Sequence, residues 1–263
     1  MSENIIKVKD FEMKFGAKTV IEDLNFEVKR GETFGFLGSN GSGKTTTLRA
    51  LLGIYEPTHG ELLINDEKYD VEKFAGKVGY LPEERGLYKK ESVIDTMMFF
   101  GQLKGMSRNA TRQFSLEYLA QVGLRDNVHS RIDKMSGGMQ QKVQLGITIM
   151  NDPELLILDE PTKGFDPVNR RLLMDIIFDH QKRGATIMMV THQMDEVEKL
   201  CDRILLLKDG KAKEYGTLKN VRKKYNNKSI EDIFVKIYGE NDENLDLDNT
   251  EKSRINKLRK GKK

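Results

Sequence analysis

A glycine-rich loop between an apolar strand and a helix constrains the fold of this chain more than any other feature. The loop runs Gly38-Ser-Asn-Gly-Ser-Gly-Lys-Thr45, after the apolar run 33–37 and before a helical pattern at 45–55 that stops at Pro57. Glycines let backbone N–H groups turn inward, and the N-terminus of the following helix favours an anion. The order of strand, loop and helix therefore predicts a phosphate-binding loop in an α/β fold.

The residues of this loop have different expected roles. Lys44 supplies a positive charge to the β- and γ-phosphates of a nucleotide and is a predicted catalytic residue, and the Thr45 hydroxyl is a predicted Mg²⁺ ligand. The residues expected to bind the nucleotide are Gly38, Ser39, Asn40, Gly41, Ser42, Gly43, Lys44, Thr45 and Thr46. Taken alone, the motif leaves an accidental glycine-rich turn open as the alternative.

A second element ends in two adjacent carboxylates. The apolar run 155–158 leads directly into Asp159 and Glu160. Neighbouring strand residues point to opposite sides of a sheet, so the two acids can have different functions. We expect Asp159 to bind Mg²⁺ through water and Glu160 to act as the general base that orients and polarises the attacking water. A solvated pair of acids at a strand end is the alternative.

Hydrophobic patterning predicts how the chain is organised. Alternating runs across 5–37 indicate an antiparallel strand region, and residues 92–125 have a helical pattern. The continuous apolar runs 155–158 and 187–190, separated by a helical stretch, predict a parallel sheet covered on both faces. The expected domains are 1–84, the first part of a nucleotide-binding core; 85–150, a helical subdomain; 151–217, the second part of the core; and 218–263, a charged C-terminal extension.

Composition restricts the class of protein. The chain has 263 residues, of which 38% are hydrophobic and 32% charged, so it can form a core but is too polar to be a membrane-spanning protein. Its formal net charge of +3 argues against a dedicated nucleic-acid-binding protein. The single cysteine, Cys201, fits a reducing compartment, and we expect any membrane spans to belong to another chain.

Charge is segregated at the end of the chain. Residues 240–251 carry six acids, and residues 252–263 carry seven bases and no acid. Such a composition is typical of a solvated, mobile tail. The alternative is a basic end that contacts anionic lipid head groups beside a membrane partner.

From about Ile5 to Gly216, the order of these motifs resembles the ATPase subunits of ABC (ATP-binding cassette) transporters. The segment 135–141, Met-Ser-Gly-Gly-Met-Gln-Gln, resembles the signature of that family, although Met139 replaces the common glutamine. The resemblance implies an α/β fold: a P-loop NTPase (RecA-like) core with an N-terminal antiparallel β subdomain and an inserted α-helical subdomain. It also implies that three signature residues contact the ATP of the partner subunit: Ser136, Gly137 and Gly138.

The resemblance assigns roles to further residues. Asp166 takes the acidic position of the loop that crosses the dimer interface, and His192 resembles the switch histidine that contacts the γ-phosphate and holds the attacking water. Phe15 resembles the aromatic residue that stacks on adenine, with a core aromatic as the alternative. Glu83 stands where the family presents a glutamine to Mg²⁺ and the water. An ionised carboxylate can bind Mg²⁺ but cannot donate a hydrogen bond.

The function implied by the resemblance is an ATP-hydrolysing subunit of a transporter. It would bind Mg-ATP at a head-to-tail dimer interface and drive transport through separate permease subunits, from the cytoplasmic face of the cell membrane. The partner ATPase would be a second copy of this chain or a different subunit, and no nucleic-acid partner is expected. The stretch 80–88 is similar to bacterial exporters of sodium or antibiotics, which favours export.

Two other functions stay open. The first is an ABC ATPase of DNA repair or translation that has no permease, although we find neither the long coiled coil of repair members nor the second cassette of translation members in this sequence. The second is a scaffold that binds ATP without useful turnover. Glu160 and His192 argue against the scaffold, because a pure nucleotide binder needs neither residue.

Overall fold

The structure, a computed structural model, describes residues 3–84 and 86–239. Within these ranges the chain forms two compact units. The first unit contains residues 3–6, Val28–Thr33 and the described part of Leu63–Val190; the second contains Lys7–Glu27, Phe34–Leu62 and residues 191–239. The sequence-based domain boundaries at 84, 150 and 217 stay predictions.

Strands and helices alternate through most of the described residues. The strands are β1 Asn4–Phe15, β2 Lys18–Lys29, β3 Thr33–Leu37, β4 His59–Ile64, β5 Val78–Leu81, β6 Leu155–Asp159, β7 Thr186–Val190, β8 Arg203–Lys208 and β9 Lys211–Thr217. The α-helices are α1 Lys44–Leu51, α2 Val71–Phe74, α3 Val93–Leu103, α4 Arg108–Gln121, α5 Gly137–Ile149, α6 Pro167–Lys182, α7 Met194–Leu200, α8 Leu218–Lys224 and α9 Ile230–Gly239. Short 3₁₀ helices lie at Arg125–Asn127 and Ile132–Lys134.

Parallel strands form the centre of the first unit. β5 pairs with β6 and β6 pairs with β7, both in parallel, and every residue of β6 and β7 is buried. Strands buried on both faces read as continuous apolar runs rather than as alternating ones. The prediction of a parallel sheet from the runs 155–158 and 187–190 is therefore confirmed.

The second unit carries β3, β8 and β9 and most of a three-stranded sheet in the order β2-β1-β4. A tight turn at Gly16 joins β1 to β2 as a hairpin, which confirms the predicted antiparallel region for these two strands. The extension of that region through residue 37 is wrong, because β3 pairs in parallel with β8 from Phe34 to Leu37. β3 is buried at every position and lacks the alternation of a half-exposed antiparallel strand.

Serine caps begin the helices of the predicted helical region. The Ser92 hydroxyl accepts the backbone N–H of Asp95 at the start of α3, and the Ser107 hydroxyl accepts that of Ala110 at the start of α4. A serine at this position stabilises a helix by about 1 kcal/mol relative to alanine. Gly105 and Gly123 follow α3 and α4 with left-handed φ angles of 82° and 74°, as the turn signals in the sequence predict. No helix within the described ranges is both long and apolar enough to cross a membrane.

A buried histidine ties the end of α6 to a neighbouring loop in the first unit. Nδ1 of His180 lies 3.4 Å from Oδ1 of Asp152, and Arg183 lies 2.9 Å from its Nε2. Arginine can only donate, so Nε2 is the acceptor and the imidazole is neutral. Burial, followed by the charge of Arg183, lowers the pKa of His180 to about 4.

This low pKa predicts a pH-dependent stability. Because His180 is protonated more readily in the unfolded chain, its contribution is complete above its ordinary pKa of about 6.5 and is lost as the pH falls toward 4. One proton gives a slope of up to about 1.4 kcal/mol per pH unit in this window. We expect His180→Gln to flatten this part of the profile in urea unfolding between pH 7 and 4. An unchanged slope in the variant would contradict the assignment.

Candidate active site

The phosphate loop, residues 38–45, joins β3 to α1 in the second unit. Gly41 and Gly43 have φ angles of 77° and 109°, in the left-handed region that glycine adopts most readily. The Lys44 ammonium donates to the backbone carbonyls of Gly38 and Ser39 at 2.7 and 2.9 Å. The lysine therefore bends back over the loop, and its charge lies within the turn that the loop forms.

The loop is too tightly packed for any side chain at its first glycine. A Cβ atom on Gly38 would lie 2.4 Å from the Ser42 hydroxyl and 2.6 Å from the carbonyl oxygen of Leu207. The Ser42 hydroxyl is buried, and within the described residues it has no hydrogen-bond partner. A buried hydroxyl of this kind beside inward-turning backbone amides fits an anionic ligand. These residues therefore fit the phosphates of ATP.

The first turn of α1 supports the same interpretation. Gly43 is the N-cap residue and provides no side-chain hydrogen bond to the helix. The first N–H groups of a helix have no partner within it, so they are open to a bound anion. Thr45 and Thr46 are half-buried in this turn. They lie where the sequence predicts contacts to Mg²⁺ and nucleotide.

An unusual backbone conformation fixes the second carboxylate of the strand-end pair. Asp159 and Glu160 are both buried at the end of β6. Glu160 has a φ of 51°, and its N–H donates to the carbonyl of Val190 at 2.8 Å. A glutamate in the left-handed region is strained, and such strain is found most often at functional sites. The buried environment excludes the alternative of a freely solvated acid pair.

The sequence interpretation missed a lysine beside these acids. The Lys163 ammonium forms an ion pair with Glu83 at 2.6 Å. The hydrogen bond to Glu83 raises the pKa of Lys163, and the negative charges of Glu160 and Asp159 raise it further. Glu83, Glu160 and Lys163 line one open groove in the first unit. The only sequence signal for Lys163 is its place in the short segment between the acid pair and Asp166.

The signature segment forms the N-terminus of α5. The Ser136 hydroxyl accepts the N–H of Met139 at 3.3 Å, so it caps the helix. The Gln140 side chain donates to the carbonyls of Ile132 and Met135, both at 3.0 Å. Gly137 and Gly138 open the helix, and a Cβ on Gly138 would meet the Phe165 ring at 3.3 Å. The helix start is thus a compact turn with an exposed serine.

Asp166 caps the next helix. Its Oδ1 accepts the backbone N–H groups of Val168 and Asn169 at 3.0 and 3.1 Å, and Pro167 occupies the first turn of α6. The hydrogen bond from the Asn169 side chain, together with these backbone bonds, lowers the pKa of Asp166. The capping role is local, and the expected role of Asp166 at a dimer interface stays a prediction.

The remaining predicted residues of the second unit are exposed. Phe15 is 47% exposed at the end of β1, and its ring meets Tyr55 edge to face at a centroid distance of 5.3 Å. The alternative of a core aromatic is therefore wrong, and stacking of Phe15 on adenine stays a prediction. His192 is exposed between β7 and α7.

The structure divides the predicted site residues between the two units. The first unit contains Glu83, Ser136, Gly137, Gly138, Asp159, Glu160 and Asp166, and the second contains Phe15, the phosphate loop with Thr46, and His192. Across the described parts of the chain, no three His, Cys, Asp or Glu side chains are grouped to hold a metal ion. Mg²⁺ commonly takes one or two protein ligands and completes its shell with phosphate oxygens and water, as the prediction for Thr45 and Asp159 requires.

Comparisons with known proteins agree with this geometry. The sequence pattern of the ABC transporter family matches residues 21–163. An ABC transporter ATP-binding protein of Methanocaldococcus jannaschii is 45% identical over 219 residues, which are 83% of this chain and 80% of the relative. A Nod factor export ATP-binding protein of Bradyrhizobium diazoefficiens is 37% identical over 212 residues, which are 80% of this chain and 69% of the relative.

Solved structures of ABC ATP-binding subunits are also similar to this chain. An ATP-binding subunit of an ABC transporter superposes with a TM-score of 0.83 at 29% identity, covering 89% of this chain and 99% of that subunit. A dimeric ATP-binding cassette in a post-hydrolysis state, bound to ADP and phosphate, superposes with a TM-score of 0.74 at 25% identity, covering 81% of this chain and 98% of that chain. The predicted P-loop NTPase fold, with its antiparallel β and inserted helical subdomains, is confirmed.

Lys163 provides a test of the electrostatics around the acids. We expect Lys163→Met to lower the Mg²⁺ concentration that gives half-maximal ATPase activity by about two- to fivefold, because it removes a positive charge beside Glu83, Asp159 and Glu160. Lys89→Met is the matched control, since Lys89 lines the same groove. A Mg²⁺ requirement that stays the same or rises in Lys163→Met would contradict this role.

Proposed function

The chain belongs to the ABC transporter family, as an ATP-hydrolysing subunit, and from this premise we propose that it binds Mg-ATP with its phosphate loop and drives a separate membrane permease. The observation that carries the proposal is the geometry of the loop. Gly38 has no space for a side chain, the Ser42 hydroxyl is buried without a partner among the described residues, and Lys44 bends over the turn. This combination suits a triphosphate.

The residues of the phosphate loop and of the strand-end acid pair have different proposed roles in ATP hydrolysis. Lys44 neutralises the β- and γ-phosphates, while Glu160 orients and polarises the attacking water and His192 holds that water. The strained backbone of Glu160, tied to the Val190 carbonyl, supports a fixed direction for its carboxylate. Thr45 and Asp159 would hold Mg²⁺, which offsets negative charge on the phosphate oxygens.

Glu83 has two possible partners in this scheme. It forms an ion pair with Lys163 in the structure, and both side chains are exposed. An exposed ion pair contributes only about 0.2–1 kcal/mol, so separating it costs little. We propose that Glu83 leaves Lys163 and approaches Mg²⁺ when nucleotide binds, in place of the glutamine usual in the family.

The signature segment is proposed to act on the nucleotide of a partner subunit. Ser136 is exposed at the start of α5, and Gly137 and Gly138 leave the backbone of that turn unshielded by side chains. The similarity to a dimeric cassette bound to ADP and phosphate supports a head-to-tail dimer. Asp166, exposed at the start of α6, belongs to the same proposed interface.

An aromatic cluster is proposed to receive the permease. Tyr88 and Phe99 are 52% and 45% exposed, and together with Phe100 their rings lie within 5.9 Å of one another, centroid to centroid. Exposed aromatic groups of this kind are typical of interaction surfaces. The subunit would lie on the cytoplasmic face of the membrane. Arg85, within the exporter-like stretch 80–88, lies outside the described residues, as does the charged tail 240–263.

Export is the proposed direction of transport. The similarity of residues 80–88 to exporter subunits and the similarity to a Nod factor export protein both support it. The substrate would be chosen by the permease. The alternative of a non-transport ABC ATPase predicts a nucleic acid or a ribosome as the partner in place of a multi-spanning protein.

The dimer is tested by blocking hydrolysis. Glu160→Gln should bind Mg-ATP without cleaving it, and we expect its mass to double when Mg-ATP is added, measured by light scattering on a sizing column. Adding Ser136→Arg should abolish the shift, because a bulky cation then occupies the proposed contact to the partner's nucleotide. Ser107→Arg is the matched control, since Ser107 caps α4 in the same way outside the signature.

Two outcomes would count against this scheme. A Glu160→Gln protein that binds ATP but stays monomeric at high concentration would favour a different ATPase partner or the scaffold. A Ser107→Arg variant that also fails to dimerise would show that helix capping, rather than the signature contact, is responsible.

The permease is tested by purification from detergent-solubilised membranes. We expect a multi-spanning protein to co-purify with this chain and to be lost in a Tyr88→Ala/Phe99→Ala variant, because the exposed rings are removed. Val71→Ala is the control, since it truncates another exposed apolar side chain. Recovery of ribosomes or DNA instead, identified by mass spectrometry and nuclease treatment, would support the non-transport alternative.

A further inference from the structure

Helix α9, the last helix of the described residues, is held at both ends within the second unit. At its start, the N–H of Ile230 donates to the carboxylate of Glu198 on α7 at 2.6 Å. Near its end, the buried ammonium of Lys208 donates to the carbonyl of Ile237 at 3.1 Å. Its buried face consists of Ile230, Ile233, Phe234 and Tyr238. This helix is therefore an integral part of the unit that carries the phosphate loop.

Tyr238 is the largest buried side chain of this helix. It is 1% exposed and stacks on Phe234 at a centroid distance of 4.0 Å. Its hydroxyl donates a hydrogen bond of 2.5 Å to the carbonyl of Leu207, at the end of β8. Burial, followed by the charge of Asp209, raises the pKa of Tyr238, so the hydroxyl remains a donor at neutral pH.

The Leu207 carbonyl is also the atom against which the phosphate loop packs. A Cβ on Gly38 would lie 2.6 Å from this oxygen. Beside it, the N–H of Gly210 donates to the carbonyl of Ser42 at 3.1 Å. The phosphate loop therefore packs against the end of β8 and the turn after it, and Tyr238 contacts the same end of β8.

We propose that Tyr238 is a positioning residue for nucleotide binding, which holds the start of the phosphate loop through its hydroxyl and the Leu207 carbonyl. Without the hydroxyl, this buried carbonyl loses a donor, and the backbone of Gly38, which packs against the carbonyl, is held less firmly. Nucleotide binding and the packing of α9 are then coupled, and by thermodynamic reciprocity each stabilises the other. The inference rests on the proposed function only in taking residues 38–45 as the nucleotide site.

The test is Tyr238→Phe, which keeps the ring and removes only the hydroxyl. We expect Mg-ADP, measured by calorimetry at 25 °C, to bind about three- to tenfold more weakly, the range that one buried hydrogen bond can supply. Tyr225→Phe is the matched control. It removes another hydroxyl of the C-terminal extension, which bonds to Glu214, and we expect its affinity to stay within twofold of the wild type.

The melting temperature separates positioning from general stability. A purely structural role would lower the melting temperature of Tyr238→Phe but leave its Mg-ADP affinity at 25 °C within twofold of the wild type, and that result would overturn the inference. If the wild type itself binds no Mg-ADP, or if Lys44→Ala binds it equally well, the proposed function fails instead.

A second measurement needs no variant. Hydrogen exchange in the wild-type chain should slow in residues 230–239 when Mg-ADP is added, because the coupling is reciprocal. Unchanged exchange in α9, with the expected protection of the phosphate loop, would overturn the inference even if Tyr238→Phe does not fold.

Discussion

The close contact between the phosphate loop and the end of β8 is the constraint on which the proposed nucleotide site depends. With no space for a Cβ on Gly38, the backbone lies directly against the Leu207 carbonyl and the Ser42 hydroxyl. A loop held by backbone packing can keep its N–H groups turned toward a ligand rather than toward its own structure. β8, the turn at Gly210 and Tyr238 of α9 all contribute to this support.

A different constraint governs the acids of the first unit. The hydrogen bond from the Glu160 N–H to the Val190 carbonyl holds the backbone of this glutamate in a strained conformation. Glu83 and Lys163, in contrast, form an exposed ion pair whose separation requires little free energy. A rigidly held glutamate, the proposed general base, beside an exchangeable ion pair suits a reaction that depends mainly on positioning and charge stabilisation. The rigid and the exchangeable groups lie in one groove.

Local signals in the sequence predicted much of this molecule. The glycine loop, the strand-end acids and the helices at 93–121 depend on residues close together in the chain, and they appear where the patterns indicate. The parallel pairing of β3 with β8, the pairing of Lys163 with Glu83 and the contact of Tyr238 with Leu207 join residues that are far apart in sequence. Periodicity contains no information about such contacts. The apolar spacing of Ile230, Ile233 and Phe234 did carry a helical signal, which the charged flanks of the extension obscured.

The departure of the signature from the family pattern has a structural explanation. Met139 stands where glutamine is common, yet the start of α5 is held by its neighbours: Ser136 caps the helix through the backbone of position 139, and the Gln140 side chain ties the carbonyls of Ile132 and Met135. The conformation of this turn therefore does not need a polar side chain at 139. Because Ser136, Gly137 and Gly138 present backbone and hydroxyl groups, the proposed anion-binding site would depend on the shape of the turn rather than on the residue that follows it.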